Sequence, residues 1–380
     1  MLYAEPDYVV YTHTAPAPVA ASDPSFKDQW ALLQVVAPPA WAVTTGSSDV
    51  KVCIIDTGAE WTHPDLAGNV QPGYNAVTNT PGAVDEHGHG THLSGTVGAL
   101  GNNKVGVTGI NWKSNVLPCK FMGANGAGMI SDAIECVYWC RDQGAAVISI
   151  SWGNFDPAQA LKDAMTEVSD VLFVTSAGNA AANNDLGVNA TSPGSFNLPN
   201  QVSAAATDAK DALAPYSSFG PSTVHIAAPG TEILSTLKGA TYGILSGTSQ
   251  AAPHVAGAAA LLKAAKPDLS VADLKAALLN GVDKLSSLDG KVASGGRLNI
   301  VGALQQVVPD QVAAAVAAQQ PQQISPTPTT VATVDTAAQQ ASSPSIVATS
   351  TAKKPTTTNK SNKPKKPSNK KKPKARRLLR

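Results

Sequence analysis

The chain has 380 residues, 43% hydrophobic and 14% charged, which is length and apolar content enough for one large folded domain or two smaller ones. Its net charge of +1 conceals an asymmetry, because residues 351–380 hold 13 of the 28 Lys and Arg and no Asp or Glu, so an acidic body precedes a basic tail. No stretch approaches the ~18–20 uninterrupted apolar residues of a membrane span, and the first twenty residues lack the charged and then apolar segments of a secretory signal.

The four cysteines, Cys53, Cys119, Cys136 and Cys140, are too sparse for a disulfide scaffold and lack the paired C-x-x-C spacing of a zinc site. They read as buried or incidental thiols, with one disulfide among them as the alternative. Cysteine usage therefore leaves the cellular compartment open.

In chain order, short apolar runs rich in Val and Ile predict strands at "VKVCIID" (50–56), "NVLPCKF" (115–121), "AAVISIS" (145–151) and "VLFVTSA" (171–177). Helices are predicted between them at "MISDAIECVYWCRDQG" (129–144) and "DPAQALKDAMTEVS" (156–169). Continuous apolar strands alternating with helices indicate a parallel sheet covered on both faces, an α/β layered domain. From about residue 306 the composition turns to Ala, Gln, Thr, Pro and Ser, and then to Lys and Arg. Such sequence buries too little to offset chain entropy, which predicts a linker over 306–350 and a disordered basic tail over 351–380. The tail reads as a solvated extension or as an attachment to a polyanion.

Candidate chemistry begins at "GTSQAAPHVAG" (247–257). Thr248 suits an N-cap, and the all-round apolar run after it reads as a helix buried on every side, with Ser249 in its first turn. Free backbone N–H groups and the positive end of the helix dipole would stabilise an anion formed beside that serine. Pro253 has no N–H, so the Ser249 carbonyl loses its usual helical partner.

A serine hydroxyl is a weak nucleophile and needs a base, itself oriented by a third group. "DEHGHGTHLSGTVG" (85–98) offers His87, His89 and His92, with a structural role or a transition-metal site as the alternatives, the latter weakened by the Gly spacing and the lack of an H-E-x-x-H pattern. "VCIIDTG" (52–58) ends a buried strand at Asp56, where open α/β sheets place functional groups. Asp, then His, then Ser is one of the chain orders known for a catalytic triad.

The segments "DTG" (56–58), "HGTH" (89–92) and "GTSQAAPHVAG" resemble the signature motifs of the subtilisin-like serine proteases, the subtilase family, and most of all its thermitase-like branch. The resemblance covers residues 20–305 and implies a three-layer subtilisin-like fold, with a mostly parallel central sheet and helices on both faces, as a peptidase domain over 13–305. By resemblance Asp56 is the orienting acid, His89 the general base and Ser249 the nucleophile. Asn179 of "TSAGNAA" joins the Ser249 N–H in holding the oxyanion, while His87, His92 and His254 match positions that are not catalytic.

The resemblance further implies that Ser151, Trp152 and Gly153 form one wall of the primary specificity pocket and Ser176, Ala177 and Gly178 the other. With no acid evident at its base, that pocket suits large apolar side chains within a broad specificity. "LGNNKVGVTG" (100–109) resembles the family's calcium loop, so Leu100, Asn103, Val105 and Val107, with Asp23 and Asp65, would bind structural calcium. A plain Asn- and Gly-rich turn is the alternative.

"YAEPDYVVYTH" resembles the end of an inhibitory pro-segment, placed at 1–12, with cleavage expected between Tyr11 and Asp23. The family implies an extracellular or cell-surface enzyme, here a monomer, acting on protein or peptide substrates. The sequon "NAT" (189–191) matters only if the chain is exported. Gln250 stands where the family most often has methionine. A silent scaffold that keeps the fold and a selective precursor-processing protease are the rival readings.

Overall fold

The computed structural model describes residues 18–187 and 190–318. These belong to the first of two units, residues 1–322, and the second, 323–380, lies outside the described residues. So do the expected pro-segment end (1–12), Asn189 of the sequon and the basic tail.

Two short helices, α1 (Trp30–Gln34) and α2 (Ala37–Ala40), lead into β1 (Lys51–Asp56), whose V-C-I-I-D run is buried throughout. β2 (Tyr74–Asn75), β3 (Thr80–Pro81), α3 (His89–Gly98), β4 (Asn115–Lys120), α4 (Ile130–Asp142), β5 (Val147–Ile150), α5 (Gln159–Glu167) and β6 (Leu172–Ser176) follow. Next come β7 (Gln201–Thr207), β8 (Ile226–Pro229), the hairpin of β9 (Ile233–Leu237) and β10 (Thr241–Leu245), and then α6 (Thr248–Ala265). α7 (Val271–Asn280), β11 (Asp283–Lys284), β12 (Gly296–Arg297), α8 (Ile300–Val307) and α9 (Pro309–Ala318) complete the described chain.

Ten strands form one sheet in the order β11-β12-β8-β7-β6-β5-β1-β4-β2-β3. Every neighbouring pair is parallel except the two edge pairs, β11 with β12 and β2 with β3. After β1 the chain builds β4 on one side and then β5 to β8 on the other, so β1 ends at the switch point of the sheet. Ligand crevices form there, beyond the carboxyl ends of the strands.

Because successive strand residues point to opposite faces, β1 divides its side chains between two cores. Val52 and Ile54 join the larger core with residues of α3, α6, α7 and α8, whereas Cys53 and Ile55 join the one with α4 and α5. The result is helix, sheet, helix, as expected. α6 is the central helix: Ala-rich, hence strongly helix-forming, and buried at Thr248 and from Gln250 to Leu262.

The cysteines correct the expectation of thiols or a single bridge. Cys53–Cys140 joins β1 to α4 with Cα atoms 5.9 Å apart, and Cys119–Cys136 joins β4 to α4 at 5.7 Å. Residues 136 and 140 are a helical i, i+4 pair and so share one face of α4, while positions 53 and 119 face that helix from adjacent strands. The linker expectation is also modified, since α8 and α9 carry helix through the start of the segment expected from 306, and Val312 is buried.

Candidate active site

Asp56 is the last residue of β1 and is wholly buried. Its Oδ1 accepts the Thr57 N–H at 2.8 Å and meets His89 Nδ1 at 2.8 Å. His89 opens α3 with its side chain 21% exposed, so one end of the imidazole is held in the interior and the other faces outward. Burial works against the imidazolium, but the Asp56 carboxylate, by charge and hydrogen bond, and then Asp85 outweigh it and hold His89 above the ordinary histidine value.

The other histidines diverge from this pair. His92 turns Nε2 to the carbonyl oxygens of Ile233 and Gly243, and burial drives it down to about 4. His254 bonds the Gln250 carbonyl within α6 and is likewise lowered to about 4 by burial. Their contacts do not converge on a shared metal position, and among the described residues no group of three His, Cys, Asp or Glu is assembled to hold one.

α6 brings Ser249 to the same end of the sheet, packed beside α3. The N-cap is Gly247 rather than Thr248, which corrects the sequence reading. Thr248 instead anchors Asn179. Its N–H and Oγ1 each donate to Asn179 Oδ1 at 2.9 Å, while its Oγ1 accepts the Gly178 N–H at 3.1 Å. With its oxygen so engaged, the Asn179 amide keeps Nδ2 as its donor, near Gly247. The Ser249 hydroxyl donates to the Ser151 carbonyl at 2.7 Å, and no hydrogen bond joins it to His89. Such bonds are often long or unmade before substrate binds.

β5 and β6 are parallel neighbours with Ile150 opposite Thr175, so the segments leaving them carry the two expected walls side by side. The Trp152 indole points inward, donating to the Ile55 carbonyl at 2.7 Å with its ring 4.6 Å from Phe121. Backbone rather than indole is what residue 152 offers outward. A Cβ on Gly153 would stand 2.3 Å from Thr191 Cγ2, and one on Gly178 2.2 Å from Thr191 Oγ1. Thr191 thus fills the space between the glycines, a role that no local motif announces.

The six residues expected to bind calcium are joined in one network. Asp23 accepts the N–H groups of Asn102 at 2.7 Å and Asn103 at 3.3 Å. Asp65 accepts Asn103 Nδ2 at 2.7 Å and the Val107 N–H at 2.8 Å, and its carbonyl accepts the Leu100 N–H at 2.8 Å. Asn103 Oδ1 in turn accepts the Val105 N–H at 2.7 Å. Burial pushes both carboxyls up, and the Asp23 charge adds to that at Asp65. Two buried carboxylates beside the Asn103 amide are the oxygen chemistry that a hard divalent cation takes, and positive charge there would relieve that cost. Tyr242, unremarked in the sequence, has its phenol pushed to about 12 by burial and then by the nearby Asp65 charge.

Known proteins bear on this geometry directly. The Subtilase family matches residues 47–303. The chain is 38% identical to thermitase of Thermoactinomyces vulgaris over 75% of its own length and 99% of that protein's. It is 36% identical to subtilisin Savinase of Lederbergia lenta over 68% of its length and 92% of the relative's. A crystal structure of a cold adapted subtilisin-like serine proteinase superposes with a TM-score of 0.60 at 30% identity, covering 66% of this chain and 89% of that one. The match runs from β1 into the start of α8 and so takes in Asp56, His89, Asn179 and Ser249 together, and the chain belongs to the subtilase family of serine peptidases.

Proposed function

We propose that the protein is an endopeptidase that cleaves through an acyl-enzyme on Ser249. The observation that carries this is the His89 imidazole on α3, which packs against α6, held by the buried Asp56, together with the Asn179 amide fixed by Thr248 at the α6 N-terminus beside Ser249. Ser249 Oγ attacks the peptide carbonyl carbon as His89 Nε2 takes its proton, and Asp56 holds the imidazole in orientation and balances its charge. The oxygen left negative accepts hydrogen bonds from the Ser249 N–H and Asn179 Nδ2. His89 then protonates the leaving amine, and water, deprotonated by His89, releases the acid and restores Ser249.

Ser151, Gly153, Ser176, Ala177 and Gly178 are uncharged, which supports a broad specificity favouring large apolar side chains before the scissile bond. Thr191 sets the size limit in this reading, so Thr191→Gly should admit bulkier ones in a peptide-library digest. Calcium supplies positive charge and rigidity when held by Asp23, Asp65, Asn103 and the carbonyl oxygens of Leu100, Val105 and Val107. A thermal melt in millimolar calcium and again in chelator tests this, with a higher Tm expected in calcium.

The two disulfides favour an oxidising compartment and so an extracellular or cell-surface enzyme. We also read 1–12 as the end of a pro-segment. Asp23 and Ser25 are already bonded into the calcium loop, which sets a limit for the start of the mature domain. Monomeric action on protein and peptide substrates, with the basic tail as a polyanion contact, completes the reading. The deciding experiment is labelling with a serine-directed fluorophosphonate: the parent should react and Ser249→Ala should not. Undiminished labelling or turnover in Ser249→Ala would refute the assignment.

A further inference from the structure

We propose that Asp85 is a positioning residue for His89: its buried carboxylate clamps the backbone on both sides of that histidine and adds a second negative charge behind the Asp56 pair. This rests on the reading of His89 as the general base.

Asp85 is 6% exposed. Its Oδ1 accepts the N–H groups of His87 at 2.9 Å and Gly88 at 2.8 Å, ahead of His89. Its Oδ2 accepts the Thr91 N–H at 2.9 Å and Thr91 Oγ1 at 2.6 Å, behind it. A buried carboxylate with that many donors stays ionised, and although burial opposes it, the bonds from Gly88 and Thr91 hold Asp85 below the usual carboxylate range. Thr57 makes a separate link to the acid of the pair: its Oγ1 accepts the Gly90 N–H at 2.9 Å and its N–H donates to Asp56 Oδ1 at 2.8 Å. Asp85 therefore fixes the start of α3, while Thr57 ties that same turn to the end of β1.

Other charges surround the imidazole. His87 lies in the same loop with its ring 6.3 Å away, and His92 follows on α3. From the β9–β10 turn, Lys238 packs beside Gly88 and donates to the Glu86 carbonyl at 2.6 Å, and Glu60 bonds that turn at Ala240. Glu86 pairs with Lys120 at 3.4 Å. Among these groups Asp85 alone bonds the backbone on either side of His89.

A plain helix cap would affect stability only, so the test reads catalysis and its pH profile. His89 must be neutral to take the Ser249 proton, hence kcat/KM falls on the acid side as His89 protonates. Removing a negative charge weakens proton binding, so in Asp85→Asn the acid limb moves to lower pH by about half a unit or more. A displaced base lowers kcat about tenfold while KM changes less than about twofold. Thr91→Val removes a donor and keeps the charge, so it should lower Tm and leave the limb in place.

Rates are expressed per active site labelled by fluorophosphonate, which restricts them to folded enzyme. If Asp85→Asn does not fold, Asp85→Glu keeps the charge and misplaces it: the limb should stay and kcat should fall. A parent-like limb and kcat in Asp85→Asn, or a parent-like kcat in Asp85→Glu, overturns the proposal. His89→Ala run in parallel separates the failures: if it remains active the reading of His89 is wrong, whereas if it is dead and the Asp85 variants are parent-like, only the role of Asp85 is lost.

Discussion

On one face of the sheet, α3 and α6 reach the strands and loops through glycine, alanine and short polar side chains. A Cβ on Gly90 would lie 2.1 Å from the Gly58 carbonyl oxygen, one on Gly98 2.1 Å from Ser114 Oγ, and one on Gly257 3.1 Å from Ile110. On the other face, α4 and α5 pack with Ile148, Ile150, Leu161, Met165 and Phe173, and two disulfides tie α4 to β1 and β4. The first arrangement brings backbones close enough for His89, Ser249 and Asn179 to share one end of the sheet, and it tolerates added volume badly. The second fills space with large side chains and suffers from lost volume. Turnover and stability should therefore separate by face.

The largest effect is expected from Asn179→Ala, which removes the proposed oxyanion donor from an exposed position. In a subtilisin, loss of such a donor costs about 100- to 1,000-fold in kcat, and that figure is carried over from the relative. KM should change little and Tm should fall only modestly, because the loss is confined to the acceptor of the two Thr248 donors while α6 keeps its packing. Steady-state kinetics beside a thermal melt would show it, and a large fall in Tm with an unchanged kcat would break the division of labour.

Next is Gly90→Ala, beside His89, the proposed general base. The added methyl meets backbone rather than a movable side chain, so α3 must shift; overpacking costs about 1–3 kcal/mol, and a displacement near 1 Å can cost about 100-fold in rate. Met165→Ala is the mirror test on the opposite face. It should lose about 2–5 kcal/mol in denaturant unfolding, with kcat/KM unchanged for the folded enzyme.

The face with large side chains was the more legible in sequence. Strands such as β1 and β6 appear as short apolar runs and the helices α4 and α5 as longer mixed stretches between them, and all lie within three residues of where the sequence places them. β7 reads Q-V-S-A-A-A-T, a poor strand by composition, and forms because it is buried between β6 and β8, which no local pattern reveals. At the site, the motifs pointed to Asp56, His89, Ser249 and Asn179, since each lies in a local signature. Residues that act across the chain carry no such signal: Thr248 reaches Asn179 across 69 positions, and Thr191 meets Gly153 only through folding. Asp85 was the exception open to detection, three residues before a glycine at a helix start, where a short carboxylate caps backbone N–H groups. The bridges were hidden for the same reason as Thr191: only the docking of α4 across β1 and β4 puts Cys53 opposite Cys140.

Those bridges provide the sharpest test of the comparison because Cys53 lies in β1, three residues before Asp56. Their closed loops span 17 and 87 residues, so by chain entropy replacing both cysteines with serine should cost about 3 kcal/mol for Cys119–Cys136 and between 4 and 5, roughly, for Cys53–Cys140. The first loss should lower Tm by several degrees and the second by more. Turnover below the melting range should hold, because Asp56 is positioned from its own side by His89 and the Thr57 N–H and in the sheet by its neighbours β4 and β5. A fall in kcat/KM in Cys53→Ser/Cys140→Ser at 25 °C, measured per labelled active site, would mean that β1 transmits strain from α4 to the catalytic end. The two faces would then have to be treated as one mechanical unit. An unchanged kcat/KM beside a lowered Tm would place the disulfides wholly on the side of stability and leave α3, α6 and their polar clamps to set the rate.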